Sequence, residues 1–254
     1  MGVGIDIGSK TIKIVELSRD GGGWSLKGSG VIGYVGDPIE RIKDEKGLVA
    51  IADTIRKLHK EAKISSKDVA ISLPESQVFT RSMRFPYLTD QEIASAVKWE
   101  AEQYIPIPIE EAIVQHQILQ RNDKSTPPDV DVLLVASPRV AVETYVKTLQ
   151  MAGLKVAIVE TELISLIRSS TPEEGSFVVL DFGASSTDIA ISKNGKLRFS
   201  RSIPTAGDAF SRAISQSMNI DFQQAEQYKT TYGLIEGQLE GKIKAVLDPV
   251  LRVS

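Results

Sequence analysis

The chain has 254 residues, 42% of them hydrophobic and 25% charged, enough to bury the core of one large domain or two modest ones. Its formal net charge of −3 gives no basic footprint for a phosphate backbone, so nucleic acid is not an expected partner. Cysteine is absent, which excludes disulfides and thiolate metal sites, and no run reaches the ~18 to 20 apolar residues of a membrane span.

Without a span or a basic-then-apolar leader at its start, the chain is expected in the cytoplasm. Residues 3–7 and 11–17 read as β-branched strands joined by a short Gly/Ser turn, and 24–34 as a third alternating run. Leu48, Ile51, Ala52, Ile55, Leu58 and Ala62 have helical spacing, and 69–73 then reads as a buried strand. The pattern changes at Gln77. A strand over 78–85, a helix capped by Thr89 with Glu92 three residues on, a break at Ile105-Pro106-Ile107-Pro108 and a strand over 114–120 suggest a separate small subdomain. Residues 122–129, with Pro127-Pro128, read as an exposed loop. Strand 130–137, helix 140–151 and strand 156–160 then alternate as a βαβ unit does. Residues 177–181 begin a second meander whose hairpin closes at Asn194-Gly195, and helices are expected over 208–218 and, after Asp221, over 222–232.

The chain repeats itself. Ile5-Asp6-Ile7-Gly8-Ser9-Lys10-Thr11-Ile12-Lys13-Ile14 matches Leu180-Asp181-Phe182-Gly183-Ala184-Ser185-Ser186-Thr187-Asp188-Ile189. Each copy puts an Asp at the end of an apolar strand, a Gly two residues later, and small or hydroxylated residues in the turn. Such a turn lets backbone N–H groups and hydroxyls approach phosphate oxygens, while the Asp can hold Mg²⁺ through its water shell. Two such hairpins facing each other would clamp a phosphate chain, with Lys13 on the outgoing strand as a compact positive charge. A single Asp-x-Gly-Ser turn is a common structural hairpin; recurrence at the head of two similar meanders is what favours the functional reading.

Asp6-Ile7-Gly8-Ser9 with Lys13 resembles the first phosphate loop of the actin, heat-shock chaperone and sugar-kinase superfamily, and Asp181 to Thr187 resembles the second. Within it, Leu73-Pro74-Glu75-Ser76-Gln77-Val78, Lys98-Trp99-Glu100-Ala101-Glu102-Gln103-Tyr104-Ile105-Pro106 and Arg201-Ser202-Ile203-Pro204 are similar to signatures of the PilM family of type IV pilus assembly proteins, relatives of the cell-division protein FtsA.

The resemblance implies an α/β, actin-like (ribonuclease-H-like) fold of two lobes with an inserted FtsA-type subdomain. Its expected divisions are lobe one over 1–77, the insert over 78–155 sharing its end with lobe one, a return and connecting helix over 156–175, and lobe two over 176–254. Lobe two is expected to be incomplete, since family members continue through a second small subdomain and a loop over the adenine. ATP and Mg²⁺ are the implied cofactors. The implied nucleotide contacts are Asp6, Gly8, Ser9, Lys10, Thr11 and Lys13 in the first loop, and Asp181, Gly183, Ala184, Ser185, Ser186 and Thr187 in the second. Gly207 would sit at a helix N-terminus near the phosphates, Glu226 and Lys229 would reach ribose and adenine, and Asp6 and Asp181 would hold Mg²⁺ through water.

Glu162 lies where related ATPases keep a carboxylate that orients the attacking water, with Glu160 beside it; the plain alternative for Glu162 is a helix-start carboxylate. Any hydrolysis would be slow. The implied partner is the N-terminal peptide of a PilN-like membrane protein, held in a groove lined by parts of 78–85 and 99–108, with pilus assembly ATPases and other inner-membrane platform proteins as further partners. Such a protein would work at the inner membrane through its partner, in twitching motility. Trp99, Tyr104, Ile105 and Ile107 are otherwise expected to be core, as such apolar clusters usually are. His59 and His116 receive no role. A nucleotide-independent scaffold, as in the cytoplasmic domains of type II secretion proteins, is the alternative function; a sugar or acetate kinase on the same fold is disfavoured by the insert.

Overall fold

The computed structural model describes residues 2–34 and 36–253. Strands β1 (Gly2–Ile7), β2 (Thr11–Asp20) and β3 (Gly23–Gly33) form an antiparallel meander in which Val3, Ile5, Ile7, Ile12 and Ile14 are buried by strict alternation. Helix α1 (Glu45–Glu61), capped by Asp44 on the Gly47 amide at 2.7 Å, lays Leu48, Ile51, Ile55 and Leu58 on that surface. Its C-terminal turn comes so close to β3 that a Cβ at Gly28 would stand 2.6 Å from the Ala62 carbonyl, so Gly is required there. A bulge at Glu16/Leu17 marks where the buried Glu16 carboxylate takes the Ser65 amide at 2.9 Å and the Ser65 hydroxyl at 2.6 Å. Those hydrogen bonds, Ser65 foremost, hold its carboxyl below the usual range. Strand β4 (Asp68–Leu73) then pairs parallel with β1.

The chain next builds a smaller body. Strand β5 (Phe79–Pro86), helix α2 (Asp90–Tyr104), β6 (Ala112–Asn122) and β7 (Asp129–Pro138) follow, with strand order β5-β7-β6, all antiparallel. Thr89 and Glu92 close a reciprocal capping box on α2. Ile93, Val97 and Ala101 of α2 pack on Met83, Val130, Val132 and Leu134.

Helix α3 (Arg139–Met151) leaves β7 directly and returns to the first core through Tyr145 and Leu149, and β8 (Lys155–Thr161) lies parallel beside β4. The large sheet is thus ordered β3-β2-β1-β4-β8. The expected βαβ unit is therefore not formed, since β7 and β8 belong to different sheets. Strand β7 carries apolar residues on both faces, Val130, Val132 and Leu134 in one core and Leu133 in another. That pattern is shared by parallel-sheet strands and by the middle strand of a small sheet covered on both sides.

Helix α4 (Glu162–Ser170) covers the second face of the small sheet, packing Leu163 and Ile167 with Leu119, Leu133, Ala190 and Leu197. Strands β9 (Ser176–Phe182), β10 (Thr187–Lys193) and β11 (Lys196–Ile203) make a third sheet of order β11-β10-β9. Helices α5 (Gly207–Met218), α6 (Phe222–Tyr232) and α7 (Lys242–Val253) follow, and Phe210, Ile214, Ala225, Ile243 and Leu247 form their core. The chain divides into two units, Met1–Val179 with Ile189–Arg201, and Leu180–Asp188 with Ser202–Ser254. No helix among the described residues is long and apolar enough to cross a membrane.

Candidate functional site

The first repeat lies in the first unit. Strand β1 delivers Asp6, and the turn closes when the Gly8 N–H donates to the Thr11 carbonyl at 3.0 Å. Register sets Asp6 opposite Lys13, and the Lys13 ammonium reaches the Asp6 carboxylate at 2.8 Å. The pair thus stands beside the turn, with Lys13 on the outgoing strand. Ser9 and Lys10 form the tip of the turn and Thr11 opens β2, all three half-buried.

Tyr34, not anticipated as a site residue, braces this loop twice. Its hydroxyl donates to the Gly8 carbonyl at 2.8 Å and its backbone N–H to the Lys10 carbonyl at 3.1 Å. Burial, and then the charges of Glu40 and Asp6, push the hydroxyl up to about 12, so it stays a proton donor at neutral pH.

The second repeat, in the second unit, closes in the same way, with Gly183 N–H to the Ser186 carbonyl at 3.0 Å. Asp181 is the last residue but one of β9; Ala184 and Ser185 form the half-buried tip. The Ser186 hydroxyl donates to Asp188 at 3.0 Å and that of Thr187 to the Thr205 carbonyl at 2.7 Å. Phe182 stacks on Phe210 of α5, ring centroids 5.8 Å apart. The N-terminus of α5 docks onto the loop, the Gly207 amide donating to Gly183 O at 3.2 Å and the Asp208 amide to Ala184 O at 2.8 Å. A Cβ at Gly207 would meet Gly183 O and Lys229 Nζ, each at 3.3 Å, which accounts for glycine at the helix start. These two amides are engaged by the loop's carbonyls, so the helix start holds the loop itself.

Glu226 and Lys229 lie one turn apart on α6, whose N-cap Asp221 accepts from the Gln224 amide at 2.8 Å. The Lys229 ammonium donates to Glu226 Oε2 at 2.8 Å and to the Gly207 carbonyl at 3.1 Å. A buried serine, Ser211 of α5, also donates to Glu226 Oε2. No local spacing in the sequence points to it, because its acceptor lies 15 residues on in another helix.

Glu162 opens α4, after its N-cap Thr161, and its charge contributes with burial and Glu40 to pushing the Tyr145 hydroxyl well above its ordinary value. Glu160 faces another fate. Both terminal nitrogens of Arg168 grip it, at 2.6 and 2.5 Å, and this guanidinium holds its carboxyl below the usual range, which makes it a poor base. Among the described residues no three His, Asp or Glu side chains gather to hold a metal. Asp6 and Asp181 are the carboxylates that would hold Mg²⁺, each through the ion's water shell. His59 bonds to the Ser66 carbonyl at 2.9 Å and has a structural role.

Elsewhere in the first unit, Ile105 is core and Ile107 packs beside it, whereas Trp99 is 64% exposed and Tyr104 38% exposed. The core expectation thus fails for the two aromatics. Tyr104 lies under the Arg81 guanidinium, 3.6 Å from the ring centre. Val78 and Phe79 meet Ile105, Pro106 and Ile107 around a hollow of about 180 Å³. A larger one, about 470 Å³, shares Val78 and is floored by Leu73, Val135, Val142, Val159 and Ile164, with His116, Glu160 and Arg168 among its polar residues.

Comparison with known proteins places this geometry in a family. The chain is 26% identical to the cell division protein FtsA of Streptococcus pneumoniae serotype 2 over 257 residues, covering 91% of this chain and 55% of the relative. It is 23% identical to FtsA of Bacillus subtilis over 264 residues, covering 91% and 58%. The chain thus spans little more than half the length of these relatives. Among solved structures, that of a PilM-PilN type IV pilus biogenesis complex superposes with a TM-score of 0.82 at 27% identity, covering 99% of this chain and 73% of the other. The ethanolamine utilization protein EutJ of Carboxydothermus hydrogenoformans (TM-score 0.57, 16% identity, 99% and 67% covered) shares the fold, as does ADP-bound MreB5 of Spiroplasma citri (0.50, 15%, 96% and 73%). The fold is therefore actin-like. The family model described as type IV pilus assembly protein PilM matches residues 4–251, and the chain belongs to that family.

Proposed function

We propose that this chain is a nucleotide-binding adaptor of the type IV pilus assembly machine, with ATP and Mg²⁺ as the ligands of its two hairpins. The observation that carries the reading is the duplicated turn. Two segments 175 positions apart (6 and 181, 8 and 183) close through the same Gly N–H to carbonyl bond at 3.0 Å, and each has an Asp two residues before the Gly. The Asp6–Lys13 pair supports it, since a triphosphate with its metal offers a cation to the carboxylate and an anion to the ammonium, exchanging one ion pair for two. Hydrolysis, if it occurs, is slow, with Glu162 as the water-orienting carboxylate.

The partner in this reading is the N-terminal peptide of a PilN-like membrane protein, seated in the apolar hollows around Val78, which would bring the protein to the inner membrane; pilus assembly ATPases are further partners. The solved PilM-PilN complex supports the partner's identity.

Calorimetric titration of Mg-ATP into the purified chain, beside Asp6→Ala, tests the nucleotide part. Heat of binding that the substitution abolishes is expected. A chain that binds the PilN-like peptide but no nucleotide would favour the second reading, a nucleotide-independent scaffold. The mutual engagement of Glu226, Lys229 and Gly207 is the observation on that side.

A further inference from the structure

We infer that Ser211 is a positioning residue of the nucleotide site, orienting the Glu226 carboxylate for the ribose hydroxyls and so setting the preference for ribo- over deoxyribonucleotides. This rests on the reading that ATP is the ligand and Glu226 faces its ribose.

Ser211 sits one turn into α5 and is fully buried, an unusual place for a hydroxyl with no task. Its oxygen lies 3.2 Å from the Gly207 carbonyl and also within hydrogen-bond reach of Glu226 Oε2. A hydroxyl has one proton, and of its two acceptors only the carboxylate is charged, so the proton goes to the carboxylate. The Gly207 carbonyl instead receives the Lys229 ammonium at 3.1 Å, and the same ammonium gives a second bond to Glu226 Oε2 at 2.8 Å. Two donors from two helices thus converge on a single oxygen of Glu226 and fix the rotation of the carboxylate.

A glutamate on a helix surface otherwise loses rotamer entropy when a ligand orders it, and a carboxylate already oriented avoids that cost at binding. The vicinal hydroxyls of a ribose are matched to one fixed carboxylate, and a 2′-deoxyribose presents only one of them. The arrangement also reaches the second hairpin. Gly207 accepts from Lys229 through its carbonyl and donates to Gly183 through its amide, so the α6 pair and the phosphate loop share the first turn of α5.

The test uses the whole chain and three probes, Mg-ATP, Mg-dATP and inorganic tripolyphosphate, titrated by calorimetry into the wild type, Ser211→Ala, Glu226→Ala and the double variant. Loss of a charge-assisted hydrogen bond is expected to weaken ATP about five- to tenfold in Ser211→Ala and dATP about twofold, with tripolyphosphate unchanged. In the Glu226→Ala background, Ser211→Ala should have no further effect, because its influence passes through that carboxylate. Ser211→Cys, close in size but a weaker donor, should fall between, and stands in if the alanine variant folds poorly. Equal weakening of all three probes, or additive losses in the double variant, overturns the proposal and makes Ser211 a packing residue. A wild type that binds none of the three overturns the ATP reading itself, and the proposal with it.

Discussion

The two hairpins are the same turn held in two different ways. Gly8 and Gly183 each donate to a carbonyl three residues on at 3.0 Å, yet what steadies each loop from outside differs in kind. The first loop is braced by a side chain, the hydroxyl of Tyr34 on Gly8 O, together with one amide of the same residue. The second is braced by the backbone of a helix, the amides of Gly207 and Asp208 on Gly183 O and Ala184 O. The difference teaches that a local motif fixes the turn while its surroundings decide which single change can loosen it. Trimming one hydroxyl can loosen the first loop at Gly8, whereas at Gly183 and Ala184 the bracing bonds come from helix amides that no side-chain trimming removes.

The largest effect should come from such a push. Gly207→Val places a branched side chain where even a Cβ would stand 3.3 Å from Gly183 O and from Lys229 Nζ, and overpacking of this kind costs about 1–3 kcal/mol. The expected result is lower stability in urea unfolding and faster amide exchange at Gly207 and Asp208, with the first hairpin unchanged. Protection retained at both amides would mean the contact is not what steadies the second loop.

Tyr34→Phe should do less, about 1 kcal/mol, and its mark should be confined to the first loop, seen as faster exchange of amides near Gly8 and Lys10. It carries a pH signature too. A tyrosine whose pKa rises from 10.0 to about 12 on folding binds more protons in the native state between those values, so its contribution is complete below about pH 10 and is lost as pH rises through about 12. Alkaline unfolding curves of Tyr34→Phe should therefore fall less steeply in that window than those of the wild type. Identical slopes would mean that the hydroxyl is not held in a buried place beside Glu40 and Asp6.

Smallest of all should be the stability change in Lys13→Met. The Lys13–Asp6 pair is largely exposed, and such pairs contribute about 0–1 kcal/mol. Its loss is expected to leave the unfolding midpoint nearly unmoved while weakening Mg-ATP binding at least tenfold, since one charge-assisted contact to phosphate is worth about that much. A large drop in stability with nucleotide binding retained would reverse the roles assigned to the pair.

What could be read from the chain before its structure divides along the same line between local and distant. The repeat was legible because Asp, Gly and hydroxyls at fixed spacing act on their immediate neighbours, and the closing bond spans three residues. Tyr34 was not, because its partner Gly8 is 26 positions away and a tyrosine at the end of an alternating strand has no mark of its own. Ser211 was hidden for a related reason, its acceptor lying 15 residues on in another helix. The exposure of Trp99 was within reach. Ile93, Val97 and Ala101 recur every four residues on the buried face of α2, and a residue midway between the last two must point away from it. Strand β7 was misplaced because burial on both faces does not say which sheet supplies the neighbours.

That strand has a mechanical consequence. Strand β7 is gripped by β5 on one edge and β6 on the other, it ends at Pro138, and α3 begins at Arg139 with no loop between them. Helix α3 is itself anchored through Tyr145 and Leu149 in the core beneath the large sheet. A displacement of the small sheet meets no slack before it reaches that anchor. The covalent chain is then a short tether along which displacement of one body is delivered to the next, and lengthening it by a few glycines at the 138/139 junction would let the two move out of step.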